Sequence, residues 1–144
     1  MGIVDYAHSP DSLEKVLKTI NEIKEKNAKV ICVFGCGGDR DPLKRRIMGK
    51  IGATLSDIPI FTSDNPRNED PEKIIAEMKT DLSMAEVAKI KSIANRREAI
   101  QEAVKLAGKG DIILLAGKGH EDYQEIKGVK NHFDDMEELK KALC

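Results

Sequence analysis

Ile112-Ile113-Leu114-Leu115-Ala116-Gly117-Lys118-Gly119-His120 is an apolar run of strand length that stops abruptly in a glycine-rich loop. Val30-Ile31-Cys32-Val33-Phe34 repeats the arrangement and stops at Gly35-Cys36-Gly37-Gly38. Neither run alternates apolar with polar residues. Both are therefore expected to be covered on two faces, as parallel strands between helical layers are. Ile58-Pro59-Ile60-Phe61-Thr62 reads as a third strand, and Ile3-Val4-Asp5-Tyr6 as a short one near the start.

Helical patterns fill the gaps between these strands. Ser9 is placed to cap a helix that has Pro10 at its first position, and Leu13, Val16, Leu17, Ile20 and Ile23 follow at helical spacing. Leu43, Ile47, Met48, Ile51 and Leu55 predict a second helix, weakened by Gly49 and Gly52. Pro71 opens a third, through Ile74, Ile75 and Met78. Residues 81–94 are expected to hold helix to about Ala88 and then a strand near Ile90–Ala94. Arg96–Ala107 is helical and ends at Gly108 and Gly110. Tyr123–Ile126 and Lys130–Phe133 resemble a hairpin around Gly128, and Asp134–Leu143 predicts a closing helix. Alternating strand and helix point to an open α/β sheet, mostly parallel, with an antiparallel addition near the C-terminus.

With 144 residues the chain is expected to be one domain. Its 24 Lys and Arg offset 25 Asp and Glu, which argues against a dedicated nucleic-acid binder. No apolar run approaches the length of a membrane span, and no signal peptide opens the chain, so a cytoplasmic protein is expected. Cys32, Cys36 and Cys144 are an odd number without metal-ligand spacing, consistent with reduced thiols.

The position of the remaining residues is the informative feature. Parallel strands put their carboxyl ends on one edge, where ligands bind. The loops leaving the strands carry the concentrated Gly, His, Asp and Arg: Asp5-Tyr6-Ala7-His8, Gly35 to Asp41, Asp64-Asn65-Pro66-Arg67, Asn95-Arg96-Arg97 and Gly117 to Asp122. The loops returning to the strands are plain connectors. No Gly-x-x-x-x-Gly-Lys-Ser/Thr is present, so no P-loop hydrolyses a nucleotide here. The Gly35–Gly38 turn starts like a dinucleotide fingerprint but lacks the third glycine, and a tight turn explains it equally well. His8 and His120 with Asp5, Asp39 and Asp122 lack metal-ligand spacing, and no metal is expected to be bound by this chain. Cys36 reads as a structural thiol rather than a nucleophile.

Arg40 and Arg67 offer planar forks for carboxylates, while Asp64 and Glu121 offer acceptors for ammonium groups. A cleft with both signs fits a zwitterion, especially one with an amino acid group at each end. The competing reading is that these residues pair with one another across the loops.

Five ordered segments, Val4–Leu13, Phe34–Asp41, Thr62–Arg67, Arg96–Ile100 and Ala116–Gln124, resemble the C-terminal domain of the Mur ligases. Within that family they resemble the diaminopimelate-adding members. The resemblance implies a Rossmann-like three-layer sandwich. It also implies that residues 1–144 are the third, lid-forming domain of a larger ligase. The domain that holds UDP-MurNAc-dipeptide, and the central domain with the P-loop, ATP and Mg2+ sites, would be separate from it. No catalytic residue is expected in this domain alone, no cofactor bound tightly to it, and no activity from it in isolation.

By the same resemblance Asp64-Asn65-Pro66-Arg67 is the recognition motif for meso-diaminopimelate. Arg67 would clamp a substrate carboxylate, Asn65 would hydrogen-bond its polar end, and Arg40 would meet the same molecule. Gly117 and Glu121 would hold the far ammonium. Asp5, Tyr6 and His8 would face the nucleotide after closure, with His8 equally able to cap the following helix. A thioether analogue such as lanthionine keeps both ends and fits the same residues. A stand-alone amino-acid- or phosphate-binding α/β module is the alternative, and a folylpolyglutamate synthetase-like role is weakened by Asp64–Arg67.

Overall fold

The computed structural model describes residues 1–144. Its strands are β1 (Gly2–Asp5), β2 (Val30–Phe34), β3 (Ile58–Phe61), β4 (Lys91–Ser92), β5 (Ile112–Ala116), β6 (Tyr123–Ile126) and β7 (Val129–His132). The helices are α1 (Pro10–Ile23), α2 (Leu43–Leu55), α3 (Pro71–Met78), α4 (Met84–Lys89), α5 (Arg96–Leu106) and α6 (Asp135–Leu143). The first five strands form one sheet in the order β1-β5-β2-β3-β4, and every pairing in it is parallel. The antiparallel part is a separate two-stranded ribbon, β6–β7, rather than an added strand of the main sheet.

Period-two alternation divides the central strands between two cores. Val30, Cys32 and Phe34 of β2, with Ile112, Leu114 and Ala116 of β5, pack against α1, α2 and α3 through Leu13, Leu17, Met48, Ile74 and Met78. Ile31, Val33, Ile113 and Leu115 point the other way, onto Ala99, Ile100 and Ala103 of α5 and Leu139 of α6. All ten residues of β2 and β5 are buried, which explains why both strands read as unbroken apolar runs.

The helix starts follow local chemistry. Ser9 Oγ accepts from the Ser12 N–H, and Asp70 Oδ1 from the Glu72 N–H ahead of Pro71. Residues 81–94 contain the short α4, started by a reciprocal Ser83–Glu86 capping box, and then the two-residue β4.

Helix α2 departs from its expected face. Leu43 and Ile47 are exposed, and the buried positions are Arg45, Met48, Gly49, Gly52 and Ala53. The glycines are what let this helix approach closely. A methyl group on Gly49 would collide with the Met78 carbonyl of α3, and one on Gly52 with the Phe34 ring. Ile23, expected at the end of the α1 stripe, is also exposed. No helix is long and apolar enough to cross a membrane.

Candidate functional site

The carboxyl ends of β1, β5, β2 and β3 lie side by side, and the loops leaving them enclose a cavity of about 460 Å3. Tyr6 and His8 reach it from β1, Gly35 to Gly37, Arg40 and Asp41 from β2, Lys44, Arg45 and Met48 from α2, Asp64, Asn65 and Arg67 from β3, and Gly117 and Glu121 from β5. The structure therefore brings together Arg40, Asp64, Asn65, Arg67, Gly117, Glu121, Tyr6 and His8. Pro66 and Asp5 stand outside the lining. Pro66 accepts from the Glu69 N–H through its carbonyl, and Asp5 accepts from the Ala7 N–H at 2.9 Å, so both shape loops. His8 does not cap α1; that position is Ser9, and His8 Nδ1 donates to the Tyr6 carbonyl at 2.8 Å.

Close backbone contact sets the width of the cleft. A side chain on Gly35 would strike the Thr62 carbonyl, and one on Gly38 the Pro66 carbonyl, so the β2 and β3 loops touch main chain to main chain. The Gly38 N–H donates to the Asn65 carbonyl at 2.7 Å, closing the contact. Cys36 lies within this contact, its thiol pushed up to about 12 by burial first and by Asp64 second. The thiol is buried and lies 3.9 Å from Met48 Sδ.

Arg67 occupies the left-handed region at φ 52°, which a side chain as large as arginine adopts only under constraint. The ribbon supplies the constraint. The Arg67 N–H donates to the Glu125 carbonyl at 3.0 Å, and the Lys127 N–H to the Arg67 carbonyl at 2.7 Å. The guanidinium donates to the Gly38 carbonyl at 2.9 Å and lies 3.5 Å from Glu125. Arg40 donates only to the carbonyl of its neighbour Asp39. Neither arginine forms an ion pair with Asp64 or Glu121, although Arg67 is near enough to pull the Glu121 pKa down.

Asn65 is 3% exposed, and its Oδ1 accepts from Lys118 Nζ and from the Glu125 N–H. Its Nδ2 has no protein acceptor, which leaves a donor on the cavity side. Asp64 Oδ1 and Glu121 Oε1 are buried carboxylate oxygens without a hydrogen bond. Burial, and then the neighbouring Asp64, raises the pKa of Glu121, while Lys118, His8 and Arg67 pull it down. The cation that faces both oxygens is Lys118, with Nζ 3.2 Å from Asp64 Oδ1 and 3.9 Å from Glu121 Oε1.

Three buried cations went unassigned in the sequence. Lys118 is fully buried, Arg96 is 1% exposed, and so is Arg45. Arg96 grips Asp135 through two bonds of 2.8 and 2.7 Å and donates to the Ser63 and Ala116 carbonyls, tying β3 to β5 beneath the cavity. Arg45 is neutralised by Glu69 and Glu77, each at 2.6 Å. The only local hint was a lysine set between two glycines after the most apolar strand; the partners are distant in sequence.

No group of three or more His, Cys, Asp or Glu side chains is arranged to hold a metal ion. Fold and cleft thus define a Rossmann-like α/β domain whose carboxyl edge brings arginines and carboxylates into one cavity.

The model of the Mur ligase, glutamate ligase domain, matches residues 1–119, and the chain belongs to that family. It is 58% identical over 142 residues to the UDP-N-acetylmuramoyl-L-alanyl-D-glutamate–2,6-diaminopimelate ligase of Bacteroides thetaiotaomicron, covering 99% of this chain and 30% of that one. The enzyme of the same name from Cytophaga hutchinsonii is 54% identical over 141 residues, covering 98% of this chain and 29% of that one. A solved structure of a ligase of this name matches with a TM-score of 0.92 at 46% identity, over 99% of this chain and 28% of that one. The chain spans about 30% of the length of the curated relatives it matches.

Proposed function

We propose that this chain is the amino-acid-binding and closing domain of an ATP-dependent ligase that adds meso-diaminopimelate, or a two-ended analogue such as lanthionine, to UDP-MurNAc-L-Ala-D-Glu. The observation that carries the reading is the presence of both signs in one cavity, which is lined by Arg67 and Arg40 and by the carboxylate residues Asp64 and Glu121. The names of the relatives supply the substrate.

In this reading Arg67 and Arg40 take the distal carboxylate. Asp64, Glu121 and the Gly117 carbonyl take the distal ammonium, and Asn65 Nδ2 adds a donor. Held by its far head, the amino acid presents its near amine, in the uncharged form, to the activated carboxyl of the acceptor peptide. ATP supplies that activation by phosphorylating the carboxylate, and the amine displaces phosphate as the amide bond forms. Tyr6 and His8 sit at the rim, 4.5 Å apart between ring centres, where they would meet the nucleotide when the domain closes. Closure aligns the amine and excludes water, so amide formation outruns hydrolysis. Mg2+, which the family resemblance implies, has no ligand set in this chain and would be held by residues elsewhere in the ligase.

The test is Arg67→Ala in a full-length ligase carrying this chain. That ligase is either its own or the B. thetaiotaomicron relative with these residues in place of the matching segment. Diaminopimelate incorporation should collapse while UDP-substrate binding persists. Unchanged kinetics would refute the assignment.

A further inference from the structure

The two carboxylate oxygens that lack hydrogen bonds are the same two that face one buried cation. Lys118 Nζ lies 3.2 Å from Asp64 Oδ1 and 3.9 Å from Glu121 Oε1. Its hydrogen bonds go elsewhere, to Asn65 Oδ1 at 3.1 Å and to the Tyr123 carbonyl at 2.8 Å. Lys118 has no exposed surface, so it is not available to grip a ligand itself. It touches Asp64, Glu121 and Asn65 without lining the cavity.

Counting charge shows what this arrangement does. Asp64 and Glu121 contribute two negative charges, and Lys118 returns one positive charge. Of the other cations nearby, Arg96 is matched by Asp135 at 2.7 Å, and Arg67 has Glu125 at 3.5 Å. His8 reaches this end from the β1 loop. Among Asp64, Glu121 and Lys118 themselves, one negative charge is left over, the complement of one ammonium group. Without the lysine, two buried carboxylates would face each other and demand a proton or a divalent cation instead.

We propose that Lys118 is the positioning residue of the amino acid site: it sets the acidic end to accept one monovalent ammonium, and it fixes the Asn65 amide with Nδ2 toward the ligand. The proposal rests on the amino-acid-binding reading above. Burial holds the Lys118 pKa below its ordinary value, and Asp64 and Glu121 work against that shift, so the two carboxylates favour the ammonium form. The Asn65 amide has a fixed orientation for the same reason: its Oδ1 takes both internal bonds, leaving only the donor end for the cavity.

The experiment compares wild type, Lys118→Ala and Lys118→Met in the full-length ligase carrying this chain, with propylammonium as the rescuing probe. KM for diaminopimelate should rise at least 10-fold in both variants, while KM for ATP stays within 2-fold. Propylammonium should restore most of the loss in Lys118→Ala, whose truncated side chain leaves room for it, and none in Lys118→Met. A wild-type KM in Lys118→Met overturns the proposal. So does a uniform loss across all substrates that the amine fails to rescue, since that is the signature of a purely structural lysine. If neither variant folds, the decision falls to the wild-type chain, by nitrogen NMR of the Lys118 side chain. An ammonium at neutral pH in contact with Asp64 supports the proposal, and a neutral amine overturns it. A wild-type ligase that incorporates no diaminopimelate at all would instead count against the proposed function, and the NMR result would stand apart from it.

Discussion

The main-chain N–H of Arg67 donates to the carbonyl of Glu125 at 3.0 Å, so the loop after β3 and the β6–β7 ribbon act as one unit. The contact is a parallel bridge between Arg67 and Ile126, and it holds an arginine in a backbone conformation it would otherwise avoid. The side chains of the pair matter less, because their 3.5 Å ion pair is partly solvated. Glu125→Ala should therefore leave amino acid KM within about 2-fold, in keeping with a contribution below ~1 kcal/mol. Glu125→Pro removes the N–H that Asn65 Oδ1 accepts and disturbs the ribbon, and KM should rise about 10-fold. Steady-state kinetics on the two variants in the ligase decide this; equal effects would contradict it.

The Arg96–Asp135 pair joins α5 to α6 with both side chains fully buried. Removing one partner strands a charge in the interior, so Arg96→Ala should cost about 3–5 kcal/mol in urea unfolding. Arg96→Met with Asp135→Leu should recover much of that loss, because no charge remains buried. A double variant as unstable as the single would show that the bonds to Ser63 and Ala116 dominate instead.

Glu69 is held at a pKa of about 2, well below its ordinary 4.5, chiefly by the Arg45 guanidinium and then by the Asp39 N–H. A carboxylate whose pKa is lower in the folded state stabilises the fold above its unfolded value. That contribution is lost as pH falls toward the folded one. The stability gap between wild type and Glu69→Gln should thus be full at neutral pH, shrink below about pH 4.5 and close near pH 2. Urea midpoints measured across that range test it, and a gap independent of pH would contradict it.

Burial pushes the Cys32 and Cys36 thiols up to about 12, whereas Cys144 is exposed. A thiol reagent at mildly alkaline pH should modify Cys144 alone in the folded chain and all three cysteines in denaturant. Rapid labelling of Cys36 in the native state would mean that the β2–β3 loop contact opens readily.

The elements governed by local rules were legible in the sequence. The unbroken apolar runs of β2 and β5 announced buried parallel strands, and Ser9-Pro10 and Pro71 marked helix starts. Most of the cavity residues could be named because they follow strand ends; Lys44, Arg45 and Met48, which line it from α2, could not. What escaped was the buried charge. Hydropathy sends Arg45, Arg96 and Lys118 to the surface. Their burial depends on carboxylates at Glu69, Asp135 and Asp64 that only the fold brings near. The face of α2 was misread for a related reason: Gly49 and Gly52 count as helix weaknesses in sequence, yet they are the contact points with Met78 and Phe34.

The central claim is that the cavity grips both signs at the far end of a two-ended amino acid. The direct measurement is competition among meso-diaminopimelate, lanthionine and lysine for incorporation by the full-length ligase carrying this chain. Lysine keeps the distal ammonium but lacks the distal carboxylate, which would leave Arg67 without its partner. Diaminopimelate and lanthionine should both be used, and lysine should be disfavoured in kcat/KM by about 1,000-fold or more. Lysine used as readily as diaminopimelate would contradict the account.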